Sequence, residues 1–474
     1  MTILQKFLFL LILPYSILFS IDNHPKPFER SFIYYRYIQN FPETTEYNFS
    51  ELPISPIEPL SMTTRLFNGN TLGESNVFNI GAYPLLNTSS DNYSLRSILS
   101  ININNFTVHN TMILNTILED DPEYIGFDWR NFTGYAEEGY IKLRKKYNSF
   151  GFVFTYGRFY DSWGEARTDQ LFLSPASRPL DQLKMKFRYK GFTFISKNAQ
   201  LDKMGVFNRF FSAHRITFKN NIFQIGFSES VVYGGENGSF EMTYLNPFLI
   251  FHGEKKNGPA LDSNTMLAID GRLFLKNKSI YFEFLIDDYQ ADAEEVNDLE
   301  PNELGLIFGA DFSIDKLYLG IEFVSITNRT YKTSVDHEWY IHRNIPIGYG
   351  EGSDLWRANI FSRYFYSQDW QFDCEIDYLV KGEGEMSQPW DTPWNDDGIT
   401  METGYDEAFP TGILEKQFSM SMGAFRMFDH NKWISVELKY ISTENTNHIT
   451  GVDEDDFEVS FGLSWLFTKE FNLD

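Results

Sequence analysis

Between Leu267 and Asp288 the chain reads LAIDGRLFLKNKSIYFEFLIDD, two alternating stretches on either side of the polar turn Lys276-Asn277-Lys278. In the second stretch Phe282, Phe284 and Ile286 fall on one face, and Tyr281, Glu283, Leu285 and Asp287 on the other. In the first, Ile269, Leu273 and Leu275 oppose Asp270 and Arg272. A period of two is the signature of a strand, and charges set between large apolar neighbours mark the second face as polar. Each stretch has the ~9–11 residues that a tilted strand needs to cross a bilayer. The unit is expected to be a membrane-spanning hairpin.

The pattern recurs from Val77 to the end of the chain. Asn104-Asn105, Tyr147-Asn148-Ser149, Lys190-Gly191, Asn220-Asn221, Asp315-Lys316, Ser367-Gln368 and Asp429-His430-Asn431 read as tight turns. Between them lie long connectors, at 119–136, 161–181, 234–263, 328–354 and 382–414. Short turns at one end and long loops at the other are the mark of an outer-membrane barrel, with the short turns in the periplasm. The final run is the clearest strand: Phe457, Val459, Phe461, Leu463, Trp465 and Phe467 alternate with Glu458, Ser460, Gly462 and Ser464. The reading is all-β, an antiparallel transmembrane β-barrel of about eighteen strands over 77–474, with both termini periplasmic. A soluble β-sandwich with one wet face is the competing architecture, but strands of this length with such unequal connectors suit it less well.

No stretch beyond the N-terminus is apolar for the ~18 residues that a helical span needs. Residues 1–20 read as a signal peptide, with Lys6, the apolar run Phe7–Leu13 and Ser20 before the cleavage point. Residues 21–76 carry Pro25, Pro27, Pro42, Pro53, Pro56 and Pro59 and are expected to form an extended periplasmic segment with a short helix near 32–39. Cys374 is the single cysteine, so no internal disulfide forms. The net charge of −25 excludes nucleic acid as a partner, because a phosphate backbone needs a basic face.

If the short turns are periplasmic, the unusual polar groups collect at the opposite, outer mouth. The ordered series GRFYDSWGEA (157–166), SAHRITF (212–218), YLNPF (244–248), FEFLIDD (282–288) and HRNIPIGYGEGSD (342–354) resembles the Wzi-type capsule-assembly family of outer-membrane proteins. The similarity covers most of the chain after about residue 130. It implies an eighteen-stranded barrel acting as a surface lectin that tethers capsular or extracellular polysaccharide to the outer membrane, with outer-membrane lipid and the polysaccharide export machinery as further partners. Known members carry a periplasmic helical bundle, and the Pro-rich segment here does not read as one.

Candidate polysaccharide-binding residues are Trp163, His214, Arg215, Asn246, Asp287, Asp288, Trp339, His342, Tyr349, Trp390 and Trp394. An aromatic ring offers a flat apolar face to sugar C–H groups, while carboxylates and amides meet the hydroxyls; the same rings could instead pack the loops into a plug. Asp287 and Asp288 are adjacent on a strand and point to opposite faces, so they cannot flank a glycosidic bond as a catalytic pair; anchoring of a loop is the expected role. His337 and His342, with Asp336 and Glu338, match no zinc spacing. No nucleophile elbow, phosphate loop or CxxC occurs, so no catalytic residue, metal or cofactor is assigned. The acidic connector 382–414 disfavours an anionic glycan unless cations bridge. A porin-like channel for small solutes is the alternative function; bulky inward positions such as Arg272, Phe274, Tyr281 and Glu283 favour a filled lumen.

Overall fold

The computed structural model describes residues 77–474, apart from 88–91, 116–132, 258–262, 276–277, 291–293, 315, 368–369, 387, 430–431, 466 and 473–474. The leader and the Pro-rich segment expected over 1–76 lie outside the described residues. In chain order the strands are β1 (Val77–Asn87), β2 (Asn92–Ile103), β3 (Phe106–Asn115), β4 (Thr133–Tyr147), β5 (Phe150–Phe159), β6 (Leu180–Tyr189) and β7 (Phe192–Gln200). There follow β8 (Phe207–Lys219), β9 (Phe223–Glu236), β10 (Ser263–Leu275), β11 (Lys278–Asp288), β12 (Glu303–Ile314), β13 (Leu317–Ile326), β14 (Ile341–His342) and β15 (Ile345–Pro346). The series ends with β16 (Leu355–Phe365), β17 (Trp370–Lys381), β18 (Glu415–Asp429), β19 (Lys432–Glu444), β20 (Glu454–Trp465) and β21 (Phe467–Asn472). A short helix, α1 (Phe251–Asn257), lies between β9 and β10.

Nineteen strands form one antiparallel sheet, while β14 and β15 pair only with each other. β13 pairs directly with β16, stepping over that small hairpin. The sheet returns on itself, since β21 pairs with β1 from Ala82 opposite Phe467 to Val77 opposite Asn472. Counting β20 and β21, which lie on either side of residue 466, as one strand, the wall has eighteen strands, the number that the alternation gives. At the short-turn end Asn104, Asn148 and Lys190 sit at φ 51°, 50° and 50°, the left-handed conformation that two-residue hairpin turns require.

The register of β10 with β11 sets Leu267 opposite Ile286 and Asp270 opposite Glu283. Ile280 and Phe282 are exposed, whereas Ser279, Tyr281, Glu283 and Leu285 are buried. Other strands repeat the division: Phe227, Leu306, Phe308, Ile321, Phe323, Ile360, Leu438 and Val459 are exposed apolar side chains. They form the apolar belt of a membrane barrel, which lipid covers. Inside, close approach is set by small residues. A Cβ on Gly309 would collide with the Tyr281 ring, which crosses that space to donate its hydroxyl to Glu322 Oε2 at 2.8 Å.

Candidate functional site

The connection between β5 and β6, residues 160–179, folds down into the lumen because inward wall carboxylates offer it acceptors. Glu283 accepts three backbone N–H groups, from Glu165 (2.5 Å), Ala166 (2.6 Å) and Leu171 (2.9 Å). Glu322 accepts those of Arg167 (2.6 Å) and Thr168 (2.9 Å). Gly164 lies so close to the Glu283 carboxylate that a Cβ would overlap it, and its φ of +153° suits glycine. Arg272 pairs with Glu165 (2.8 Å) and Asp311 (2.7 Å), and Arg167 reaches Glu375 (3.1 Å) across the Phe361 ring. At the root of the loop Asp161 pairs with Lys184 (2.8 Å) and Lys197 (3.2 Å). Burial alone would raise its carboxyl, but the two ammonium groups outweigh it and hold the pKa down to about 2.

Trp163, Leu171, Phe172 and Leu173 from this loop join Tyr331, Tyr340, Ile347 and Tyr349 from the β13–β16 connection in one buried cluster. Tyr331 donates its hydroxyl to Leu171 O (2.8 Å) and Tyr340 to Phe172 O (2.7 Å). This hydrophobic cluster therefore sits inside the barrel, as a plug built from two outer connections.

Residues 327–332 join this plug to the outer loop 382–414. Tyr331 N donates to Asp287 Oδ2 at 2.6 Å, while Lys332 Nζ donates to Glu385 O (3.0 Å) and Gln388 O (2.7 Å). Arg329 and Tyr331 hold φ of +66° and +82°, a costly backbone for such residues, retained because both sides of the segment are fixed. Arg329 donates to Asp391 Oδ1 from Nε (3.0 Å) and Nη2 (2.7 Å), and from Nη1 to Glu407 (2.6 Å). Burial opposes the Arg329 charge, but Glu407 and Asp391 outweigh it and raise its pKa above the ordinary value. Its guanidinium lies 5.0 Å from the Trp394 ring centre and 6.0 Å from that of Trp390, and the two indoles meet edge to face at 6.4 Å. Tyr405 flanks Trp394 at 6.2 Å and donates to Glu407 (3.2 Å). Trp394 is buried, Trp390 is half-buried, and the Asp391 side chain is 68% exposed. The cluster presents an accessible indole beside a carboxylate oriented through one oxygen by Arg329.

The expected candidates therefore separate. Trp390 and Trp394 come together with Arg329 and Asp391 at the outer surface. Trp163 does not present itself at the mouth: it is 0% exposed, stacked on Phe172 at 5.8 Å, because its loop turns inward. Tyr349 is buried beside it, and Trp339 is buried with its indole N–H donated to Thr333 O (2.9 Å). His342 is buried against Asp202 (3.1 Å), and burial lowers its pKa although Asp202 opposes this. His337 stacks instead on Phe207 at 4.4 Å, so the two histidines face different partners. Arg215 points inward to Asp270 (2.5 and 2.8 Å), while the adjacent His214 points out of the barrel to Glu229 (2.9 Å). Asn246 is exposed, accepting the Phe248 N–H at 3.2 Å. Asp287 faces inward and anchors Tyr331, whereas Asp288 is exposed and accepts the Tyr289 N–H at 2.7 Å. Arg329 and Lys332 were not marked by the sequence reading; the signal was two cations in NRTYK opening a loop of a strongly acidic chain.

Eighteen antiparallel strands with an outward apolar belt, short turns at one end and inward-folded loops at the other define an outer-membrane β-barrel with a plugged lumen. The sequence family described as capsule assembly protein Wzi matches residues 107–403, more than half of the chain. The chain belongs to that family. Among solved structures it is similar to Wzi of Escherichia coli, described as an outer-membrane protein involved in group 1 capsule assembly and a carbohydrate-binding β-barrel. The two are 13% identical, the match covers 97% of this chain and 100% of the other, and the TM-score is 0.59. OprD of Pseudomonas aeruginosa is 9% identical over 84% of this chain and 95% of its own, with a TM-score of 0.42. OmpT of Vibrio cholerae is 8% identical over 84% and 99%, with a TM-score of 0.34. No curated protein matches the sequence. The protein resides in the outer membrane and has a capsule-related role at the cell surface.

Proposed function

We propose that the protein binds capsular or extracellular polysaccharide through the outer loop 382–414 and its Arg329 clamp, anchoring the polymer at the cell surface without chemically altering it. The observation that carries this is the half-buried Trp390 beside Asp391, whose Oδ1 takes two hydrogen bonds from Arg329 while the side chain remains largely exposed. A sugar ring lies its C–H face on the indole, and its hydroxyls donate to the open carboxylate oxygen. Trp394 meets the Trp390 indole edge to face and is itself flanked by Tyr405, so the platform is pre-organised and less entropy is lost on binding. Arg329 and Lys332 offset part of the acidity of the loop, which favours polymers of low negative charge. The reading is supported by the family match and by the carbohydrate binding of the Escherichia coli barrel. A non-catalytic role is supported by Asp287 and Asp288 facing opposite ways.

The test is genetic and direct. Deleting the gene leaves polymer synthesis intact and releases the glycan into the medium; normal retention by the deletion strain contradicts anchoring.

A further inference from the structure

The connection between β9 and β10 does not extend from the mouth but lies against the outside of the barrel. Arg215 and Ser228 face each other inside, at 2.9 Å, with Asp270. Their neighbours His214 and Glu229, paired in the same register, consequently face outward, as does the exposed Phe227. Ser196, Asn198 and Ser212 are outward too, and yet all three are buried. What covers this polar arc is the segment 240–252. Phe240 packs on Phe210 at 4.4 Å, Tyr244 on Tyr233 at 4.6 Å, and Phe251 on His214 at 4.5 Å. The backbone N–H groups of Phe251 (3.0 Å) and His252 (2.7 Å) donate to the Glu229 carboxylate.

The height of this arc is informative. β8 runs from Phe207 to Lys219, and His214 stands on the short-turn side of its middle. At ~2.5 Å of height per residue in a tilted strand, the ~25 Å apolar band takes in about ten residues, most of such a strand. A wall facing lipid with an imidazole, a carboxylate and three polar side chains at that height would be destabilised, because hydrocarbon cannot solvate them. The segment solves this by being two-faced. Its inner side supplies Tyr244, Phe251 and two N–H donors, while on its outer side Phe248 is 82%, Met242 78%, Ile250 68% and Phe240 41% exposed. This outer face joins the belt: the Phe248 ring lies parallel to that of outward Phe194 at 5.7 Å, beside exposed Phe192 and Ile216.

We infer that residues 240–252 are a strap embedded in the membrane, whose Phe240, Met242, Phe248 and Ile250 contact the lipid acyl chains and complete the belt where the wall itself is polar. The inference stands independently of glycan binding.

The experiment places single cysteines in a Cys374→Ser background, at Met242→Cys, Phe248→Cys and Ile250→Cys, with Phe227→Cys as a wall control and Glu402→Cys as an exposed loop control. Each is labelled with a polarity-sensitive fluorophore, and folded protein, judged by heat-modifiable migration, is placed in phosphatidylcholine and phosphatidylglycerol vesicles containing chain-doxylated lipid. Strap labels should be quenched to the same degree as Phe227→Cys and several-fold more than Glu402→Cys. Quenching at the Glu402→Cys level, meaning that the face meets water, glycan or protein, overturns the inference. A second readout needs no substitution: a diazirine-bearing phospholipid should label peptides containing 240–250 as well as those containing 223–227 of the native protein. Labelling of the wall peptide alone also overturns it.

Discussion

The connections 160–179 and 382–414 leave the same end of the barrel, and both carry carboxylates and tryptophans. In the first, Asp161 and Glu165 are buried against Lys184, Lys197 and Arg272, and Trp163 is sealed in an apolar cluster. In the second, Asp391 is largely exposed although Arg329 holds one of its oxygens, and Trp390 keeps part of its surface open. Identical residue types thus serve structure where the wall offers buried partners and remain available to ligand where it does not. Charge content alone does not separate the two; the degree of desolvation does.

The largest expected effect breaks the inner member of the pair. Arg272→Met leaves Glu165 and Asp311 buried without their shared counter-charge and should cost ~3–5 kcal/mol, read as loss of the heat-resistant folded form in urea titration. Asp391→Asn at the rim should change stability by less than ~1 kcal/mol in the same titration. Glu283→Ala removes the acceptor of three backbone N–H groups and should loosen the plug, raising conductance in planar bilayers above a small native value. A large steady conductance of the native protein would instead favour a channel.

A smaller effect distinguishes the outer connections by pH. Half-buried Glu300, in the connection between β11 and β12, is pushed up to about 7 by burial and by Asp288, against the pull of Arg329. With the folded value above the ordinary 4.5, the folded chain keeps a proton that the unfolded chain releases. Stability therefore falls as pH rises from 4.5 through 7, and the full penalty persists above 7. Glu300→Gln should raise Tm by about 2 °C at alkaline pH and leave it unchanged in acid.

Much of the wall was legible in the sequence. The alternation of Phe282, Phe284 and Ile286 with Tyr281, Glu283 and Leu285 gives strand, face and membrane exposure together, and it placed Asp287 and Asp288 on opposite sides. The same rule separates His214 from Arg215, which the grouping of both at the mouth passed over. The plug was harder to read. Connection 160–179 looks like any long outer loop, and its inward course depends on Glu283, Glu322 and Arg272 from strands distant in sequence. The only local hint was that charged inward positions need partners. The strap was hidden for a similar reason: polar outward residues at 196, 198, 212, 214 and 229 break the apolar alternation only when seen side by side across β7, β8 and β9.

The contrast between the two loops is tested most directly by the affinity of the purified barrel for the polysaccharide extracted from its own cells. Trp390→Ala should weaken binding about tenfold, the loss expected for an aromatic anchor, whereas Trp163→Phe in the plug should leave the affinity of the folded fraction unchanged. Unaltered binding by Trp390→Ala, with binding lost in Trp163→Phe, would contradict the account.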